Sequence, residues 1–253
     1  MMNIENKKLV EPMCAPSFST DSHNVLTPTY FMQILEDRGG LHANLFNMGY
    51  DKLIKERLAW VVSRLHIHFV RPLKWREDFI FSTWHRGQEG GLFYRRDAKM
   101  STPDGEDIIQ ATTGWLLLNI DTRSMVRHYE VAESEDTICL DKAVEESAPR
   151  LRIPASVQMQ LAYVHPVMKS DIDRNGHVNN TKYAQMAMNA LPDELCTEKG
   201  IKDFYINFVH ESKPNDKLDI YLGEDMAASE DGHVFYVEGK VEGKTSFLVK
   251  IVL

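Results

Sequence analysis

One order of elements is legible twice in this chain, and that repeat limits the fold more than any other feature. Each time a helical stretch comes first, followed by segments rich in β-branched and aromatic residues with alternating polarity. Ile67-His68-Phe69-Val70 and Ile206-Asn207-Phe208-Val209 stand 139 positions apart, each in a strand that follows a helical region. Phe79-Ile80-Phe81 has its counterpart near Leu218-Asp219-Ile220. Matching order carries more weight than matching letters, because strands resemble strands. Each half reads as an α+β unit, a strongly curved antiparallel sheet burying one helix against its concave face. The halves are expected at residues 1–145 and 146–253, with the boundary in the polar, acidic stretch 122–158.

Within the first half, residues 11–26 read as a leader with a strand near its start. Thr27-Pro28 suits a helix opening, with Thr as cap and Pro in the first turn. The helical pattern runs to Asn47, with Phe31, Ile34 and Leu35 on one side. Gly39-Gly40 interrupts it, which predicts two helices or one with a bend. A second short helix is expected over about 50–59. Leu65, Ile67 and Phe69 alternate with Arg64, His66 and His68, the pattern of a half-buried strand. Further strands are expected over 79–86, 92–100 and 109–120, with a turn at Asp104-Gly105. The second half repeats the scheme: a strand over 159–165, a helix over 179–190, then strands over 204–209, 218–222, 233–241 and 245–252.

The formal net charge of -8 argues against nucleic acid as a partner. Cys14, Cys139 and Cys196 are odd in number and widely spaced, with no CxxC pair, so no disulfide framework is expected. Apolar runs such as Trp115-Leu116-Leu117-Leu118 are far too short to span a bilayer. The expectation is a soluble protein of the reducing cytoplasm.

The densest chemistry lies in Asp171-Ile172-Asp173-Arg174-Asn175-Gly176-His177-Val178-Asn179-Asn180, just before the second helix. Polar groups at a helix mouth can bind a carbonyl and stabilise negative charge as it develops. As turn formers alone, the same residues make only a capped turn. Glu211, just past the strand 204–209, can meet His177 if that strand crosses the helix near its start. A histidine can shuttle a proton near neutral pH, and a carboxylate beside it can fix its tautomer or activate water. Alone, Glu211 would be an ordinary solvated carboxylate. His66 and His68 share a strand face, with His85 as a third histidine. No further ligands fall at metal-like spacing, so these three read as polar residues on an outer strand face, and no metal or cofactor is expected. There is no GxSxG elbow and no glycine-rich phosphate loop.

The run from Asp173 to Asn180, with Lys182 and Tyr183 after it, resembles the acyl-acyl carrier protein thioesterases of plants and bacteria, whose stretch reads D-x-N-x-H-V-N-N. The resemblance extends from about Met13 to Leu253 and includes Arg38-Gly39-Gly40, residues 69–75 and residues 115–119. It implies a tandem (double) hotdog, with each half a curved sheet wrapped around a long helix. It places Asp173, Asn175, His177 and Glu211 in the active site. Plant members often carry Cys directly after that Glu, where this chain has Ser212. A lone serine hydroxyl is poorly activated, so the departure favours attack by water.

What the resemblance implies is a thioester hydrolase that frees fatty acid from acyl-acyl carrier protein. Glu211 with His177 is expected to activate water, with Asp173 or His177 as other candidates for the base. Asn175 and a backbone N–H are expected to hold the oxyanion, with Asp173 orienting Asn175 or the water. An acyl-coenzyme A thioesterase and a non-catalytic acyl-binding hotdog protein are the alternatives. The first half has Arg71-Pro72 where the second has His210-Glu211, so one active site per chain is expected. Phe31, Ile34, Leu35, Ala184, Met186, Ala187 and Met188 either fill the core or line an acyl tunnel. Lys182, Lys199 and Lys202 are candidates for docking the acidic carrier protein. Two hotdog halves already form a pseudo-dimer, which makes a homodimer optional.

Overall fold

The computed structural model describes residues 2–228 and 232–253. The first half contains β1 (Asn3–Glu5), β2 (Lys8–Cys14), α1 (Pro28–Leu45), α2 (Tyr50–Leu53), β3 (Leu58–Phe69), β4 (Asp78–Glu89), β5 (Phe93–Ser101), β6 (Asp107–Asn119) and β7 (Met125–Val126). A short helix α3 (Glu130–Glu133) opens the connecting segment. The second half contains β8 (Gln160–Pro166), α4 (Asn180–Met188), β9 (Asp203–Phe208), β10 (Lys217–Glu224), β11 (Val234–Val241) and β12 (Lys244–Val252).

The strands form one continuous antiparallel sheet in the order β1-β2-β4-β5-β6-β3-β9-β12-β11-β10-β8, with β7 added beside β6. The two halves meet where β3 pairs β9. His66 lies opposite Tyr205 in that pairing, and the two rings stack at 4.0 Å. These residues are also 139 positions apart, so the pseudo-twofold relating the halves passes between them. This is the tandem hotdog: α1 and α4 lie in the concave faces of the two halves of the sheet and touch each other.

Local chemistry explains both helix starts. Thr27 caps α1 by accepting the N–H of Tyr30 at 3.2 Å, with Pro28 in the first turn. Asn179 caps α4 by accepting the N–H of Thr181 at 2.9 Å. Phe31, Ile34, Leu35, Ala184, Met186 and Ala187 are all buried members of one core that also contains Leu65, Ile67 and Phe69 of β3. Burying one such large side chain stabilises the fold by about 1.5–3 kcal/mol.

Two expectations need correction. Helix α1 runs unbroken through Gly39-Gly40. Gly39 is there because the side chain of Arg96 passes beneath the helix, and a Cβ at 39 would lie 3.3 Å from Arg96 Cδ. Packing thus overrides the helix-breaking tendency of two glycines. The second short helix is one turn only, and β3 already begins at Leu58. The strand expected near the start of 11–26 is the end of β2, which begins earlier, pairs β1 in a hairpin and continues the sheet beside β4.

Candidate active site

The segment 171–180 folds as a tight loop clamped by Asp173. The Asp173 N–H donates to His177 O at 2.8 Å, and the Gly176 N–H donates to Asp173 O at 3.1 Å. Asp173 Oδ1 accepts the backbone N–H groups of Asn175 at 2.7 Å and His177 at 3.4 Å. Its Oδ2 accepts from the Asn175 side-chain amide at 3.2 Å. Gly176 sits at φ 81°, a left-handed conformation that favours glycine. Asp171, the other carboxylate of the motif, turns inward and is buried. Burial raises its pKa, but hydrogen bonds from His165 and the Met168 N–H outweigh that, leaving it below the usual range. Asp171 is an anchor of the loop and not a wall of the cavity.

One backbone contact sets the geometry between loop and strand exit. The Val178 N–H donates to Ser212 O at 2.9 Å, which aligns residue 177 beside residue 211. His177 Nε2 lies 3.3 Å from Glu211 Oε2. Ser212 itself is fully buried and faces away: its hydroxyl lies 2.8 Å from that of Ser246. It is therefore remote from a role as nucleophile.

Asp173, Asn175, His177 and Glu211 all line one cavity of about 380 Å³, within the size range of ligand sites. Most of its wall comes from the first half. Leu35, Glu36, Gly39 and Ala43 of α1 form one side, and Trp60, Tyr94 and Trp115 of β3, β5 and β6 another. The cavity thus runs beside α1, not beside α4. Ala184, Met186 and Ala187 fill the core and line no tunnel. The helices meet in the middle of the molecule, so the mouth of one helix faces the pocket of the other half.

Sequence reasoning missed three first-half groups that close on this loop. Arg123 Nη1 lies 3.5 Å from Glu211 Oε1. Both Glu36 oxygens lie 3.4 Å from the Asn179 amide nitrogen. Glu36 opens onto the cavity, and partial loss of hydration there pushes its carboxyl above the usual range. Tyr50 lies under the Arg174 guanidinium at 4.0 Å. No local motif marks these residues, because each depends on how one half docks on the other. Deeper in, burial first and then the Arg96 charge push His42 down to about 3, so its ring is neutral at pH 7.

The histidines of β3 behave differently from expectation. His66 is buried, and His85 points elsewhere, with its Nε2 2.7 Å from Ala132 O. The third group near His66 and His68 is Asp203 of β9. Its Oδ1 accepts from His66 Nε2 at 2.8 Å and His68 Nδ1 at 2.9 Å. The three side chains have the composition of a metal site. As hydrogen bonds, the same contacts tie the two halves together at their seam.

The first half repeats the loop without its reactive groups. The Asp21 N–H donates to Val25 O at 2.9 Å, and the Asn24 N–H to Asp21 O at 3.1 Å. Asp21 Oδ1 accepts the N–H groups of His23 at 2.8 Å and Val25 at 3.0 Å. The Leu26 N–H donates to Leu73 O at 2.9 Å, as Val178 does to Ser212. Val25 therefore occupies the place of His177, and Pro72 that of Glu211.

This fold and site define a double-hotdog protein with a polar tetrad at one helix mouth. Residues 7–133 match the model of the acyl-ACP thioesterase N-terminal domain, and residues 156–252 that of the C-terminal domain. The chain belongs to the acyl-ACP thioesterase family. The crystal structure of an acyl-ACP thioesterase from Bacteroides thetaiotaomicron is 28% identical over 99% of each chain, with a TM-score of 0.86. The 12:0-ACP thioesterase from Umbellularia californica is 18% identical over 99% of this chain and 98% of its own, with a TM-score of 0.82, and shares the fold. A chloroplastic oleoyl-acyl carrier protein thioesterase from Coriandrum sativum is 24% identical over 206 residues, 74% of this chain and 54% of its own. The chain thus spans about half the length of that curated relative. No helix among the described residues is long and apolar enough to cross a membrane.

Proposed function

We propose that the protein is a cytoplasmic hydrolase that cleaves fatty acyl-acyl carrier protein thioesters at the 173–211 site. The observation that carries this reading is the convergence of His177 and Glu211, 3.3 Å apart, on a cavity walled largely by apolar residues. Family membership and the names of the related proteins support the substrate class.

In this reading the acyl chain lies along α1 with its thioester carbonyl at the loop. Glu211 accepts a proton from the attacking water, and His177 holds that carboxylate in place and shares the proton. Asp173 fixes the Asn175 amide through Oδ2, so that the remaining amide hydrogen serves the developing oxyanion. Water attacks the carbonyl carbon, the C–S bond breaks, and the thiolate of the carrier arm leaves with a proton. The walls provided by 1–145 and the reactive groups provided by 146–253 make one site per chain. Arg123, Arg174 and Lys182 lie at or next to the reactive loop and offer the acidic carrier a positive edge.

The test is turnover of Glu211→Gln on acyl-carrier-protein and acyl-coenzyme A thioesters of matched chain length. A folded variant is expected to lose turnover by at least two orders of magnitude, with the wild type favouring the carrier protein. Unchanged turnover removes Glu211 from the mechanism, and equal or better use of the coenzyme A ester redirects the substrate assignment.

A further inference from the structure

A second cavity, of about 570 Å³, lies at the pseudo-symmetric position, between the C-terminal part of α4 and the start of α1. Six of its lining positions correspond to lining positions of the first cavity. Met188, Leu191 and Leu195 stand where Glu36, Gly39 and Ala43 stand, each pair 152 positions apart. Asp21 and Val25 stand for Asp173 and His177 at the same offset, and Pro72 stands for Glu211. Both members of every pair line their own cavity. A chance surface hollow would not reproduce the wall in register.

The differences run in one direction. Imidazole is replaced by an isopropyl group, and the carboxylates of Glu211 and Glu36 by proline and methionine. The cavity is larger, about 570 Å³ against 380 Å³, and has no counterpart of the His177–Glu211 pair. Met188 at the end of α4 and Leu191 and Leu195 beyond it are aliphatic, and Phe18 stands exposed at the cavity edge against Tyr30. The charged residues lining it, Asp21 and Asp193, are both acidic. After burial, these two carboxylates also push the Cys196 thiol above its usual range. An anionic head group would be repelled there, whereas an uncharged thioester would not. Lys74, whose Nζ donates to Glu198 O at 3.0 Å, and the exposed Lys199 adjoin the lining residues Thr197 and Gly200 and offer positive charge to the phosphate of a carrier arm.

We propose that this second cavity binds the acyl chain of an uncharged acyl-pantetheine thioester without hydrolysing it. The ligand class rests on the function proposed for the first cavity; the existence of a second seat rests on the geometry alone. The chain would then hold two acyl groups and cleave one.

The experiment uses dodecanoyl-pantetheine with the thioester sulfur replaced by NH, which cannot turn over. Native mass spectrometry and calorimetry on the full chain are expected to show two probes per chain. Leu195→Trp, at the cavity edge, is expected to reduce this to one. A version of the probe with a terminal diazirine is expected to label residues 185–201 of the wild type as well as the first cavity. Dodecanoate is expected to bind the second cavity at least tenfold more weakly than the amide. One probe per chain in the wild type, or label confined to residues 35–61, overturns the second seat. Equal binding of dodecanoate overturns the assignment of an uncharged ligand. Absent hydrolysis of carrier thioesters by the wild type would instead count against the function of the first cavity, and is measured separately.

Discussion

Asp173→Asn isolates the role of one hydrogen bond at the reactive loop. In the native loop Oδ1 accepts two backbone N–H groups and Oδ2 accepts the Asn175 amide. Asparagine at 173 can keep Oδ1 in place and so retain both backbone contacts. Its own NH₂ then faces the Asn175 NH₂, two donors at a separation of 3.2 Å. The Asn175 amide must flip, which turns a carbonyl lone pair toward the position assigned to the oxyanion. Loss of one oxyanion donor costs about 2.7–4 kcal/mol in the barrier, or roughly 10²–10³ in kcat. The fold should lose only about 1 kcal/mol, since the backbone contacts persist. Single-turnover hydrolysis of acyl-acyl carrier protein measures the first effect and chemical denaturation the second. The double variant with Asn175→Ala is expected to be no slower than the slower single variant, because both remove the same donor. Fully additive losses in that cycle, or a normal kcat in Asp173→Asn, would refute the assignment.

Other outcomes follow from the same contacts. Ser212→Ala should keep turnover within a few-fold and lose about 1 kcal/mol of stability, because only the buried bond to Ser246 is removed; a collapse of kcat in a folded variant would restore Ser212 as a reacting group. Asp203→Asn should destabilise the seam by about 1–3 kcal/mol at pH 7. Burial raises the Asp203 pKa, but hydrogen bonds from His66 and His68 outweigh it and hold the carboxyl below its usual range. The Asp203 contribution is thus fully present above the unfolded value of about 3.9 and lost as pH falls through the lower folded value, so the stability gap should narrow below about pH 4 and close once pH lies below the folded value. A stability gap that does not narrow as pH falls from about 4 toward about 2 would argue that the Asp203 carboxylate is not the source. Gly40→Ala in α1 should raise stability by about 0.5–1 kcal/mol, since a Cβ there meets no atom within 4 Å; thermal melts test it.

Much of the site was legible because it is local. The loop from Asp173 to Asn180 carries its own turn chemistry, and Glu211 lies just past a strand whose alternation is clear in the letters. The cap at Thr27-Pro28 and the inward set Leu65, Ile67 and Phe69 were legible for the same reason. Hidden features all involve partners far along the chain. Arg96 beneath Gly39, Asp203 between His66 and His68, and Arg123 against Glu211 depend on strand register. The repeat of the loop at Asp21–Thr27 was also hidden, since Val25 and Pro72 erase the motif and leave only its backbone.

Side-chain order and spacing along the chain determined two α+β halves, their alternating strands, and one half bearing the candidate site residues. Those are short-range properties, set by turn chemistry and by which residues alternate across a strand. Tertiary structure decided that β3 and β9 join the halves into one sheet, and that the reactive loop of 146–253 opens onto a cavity beside α1. It also decided that a second, matching cavity faces α4. Each of these depends on the register in which two distant segments dock, and docking energy is spread over many weak contacts that no single stretch of letters contains.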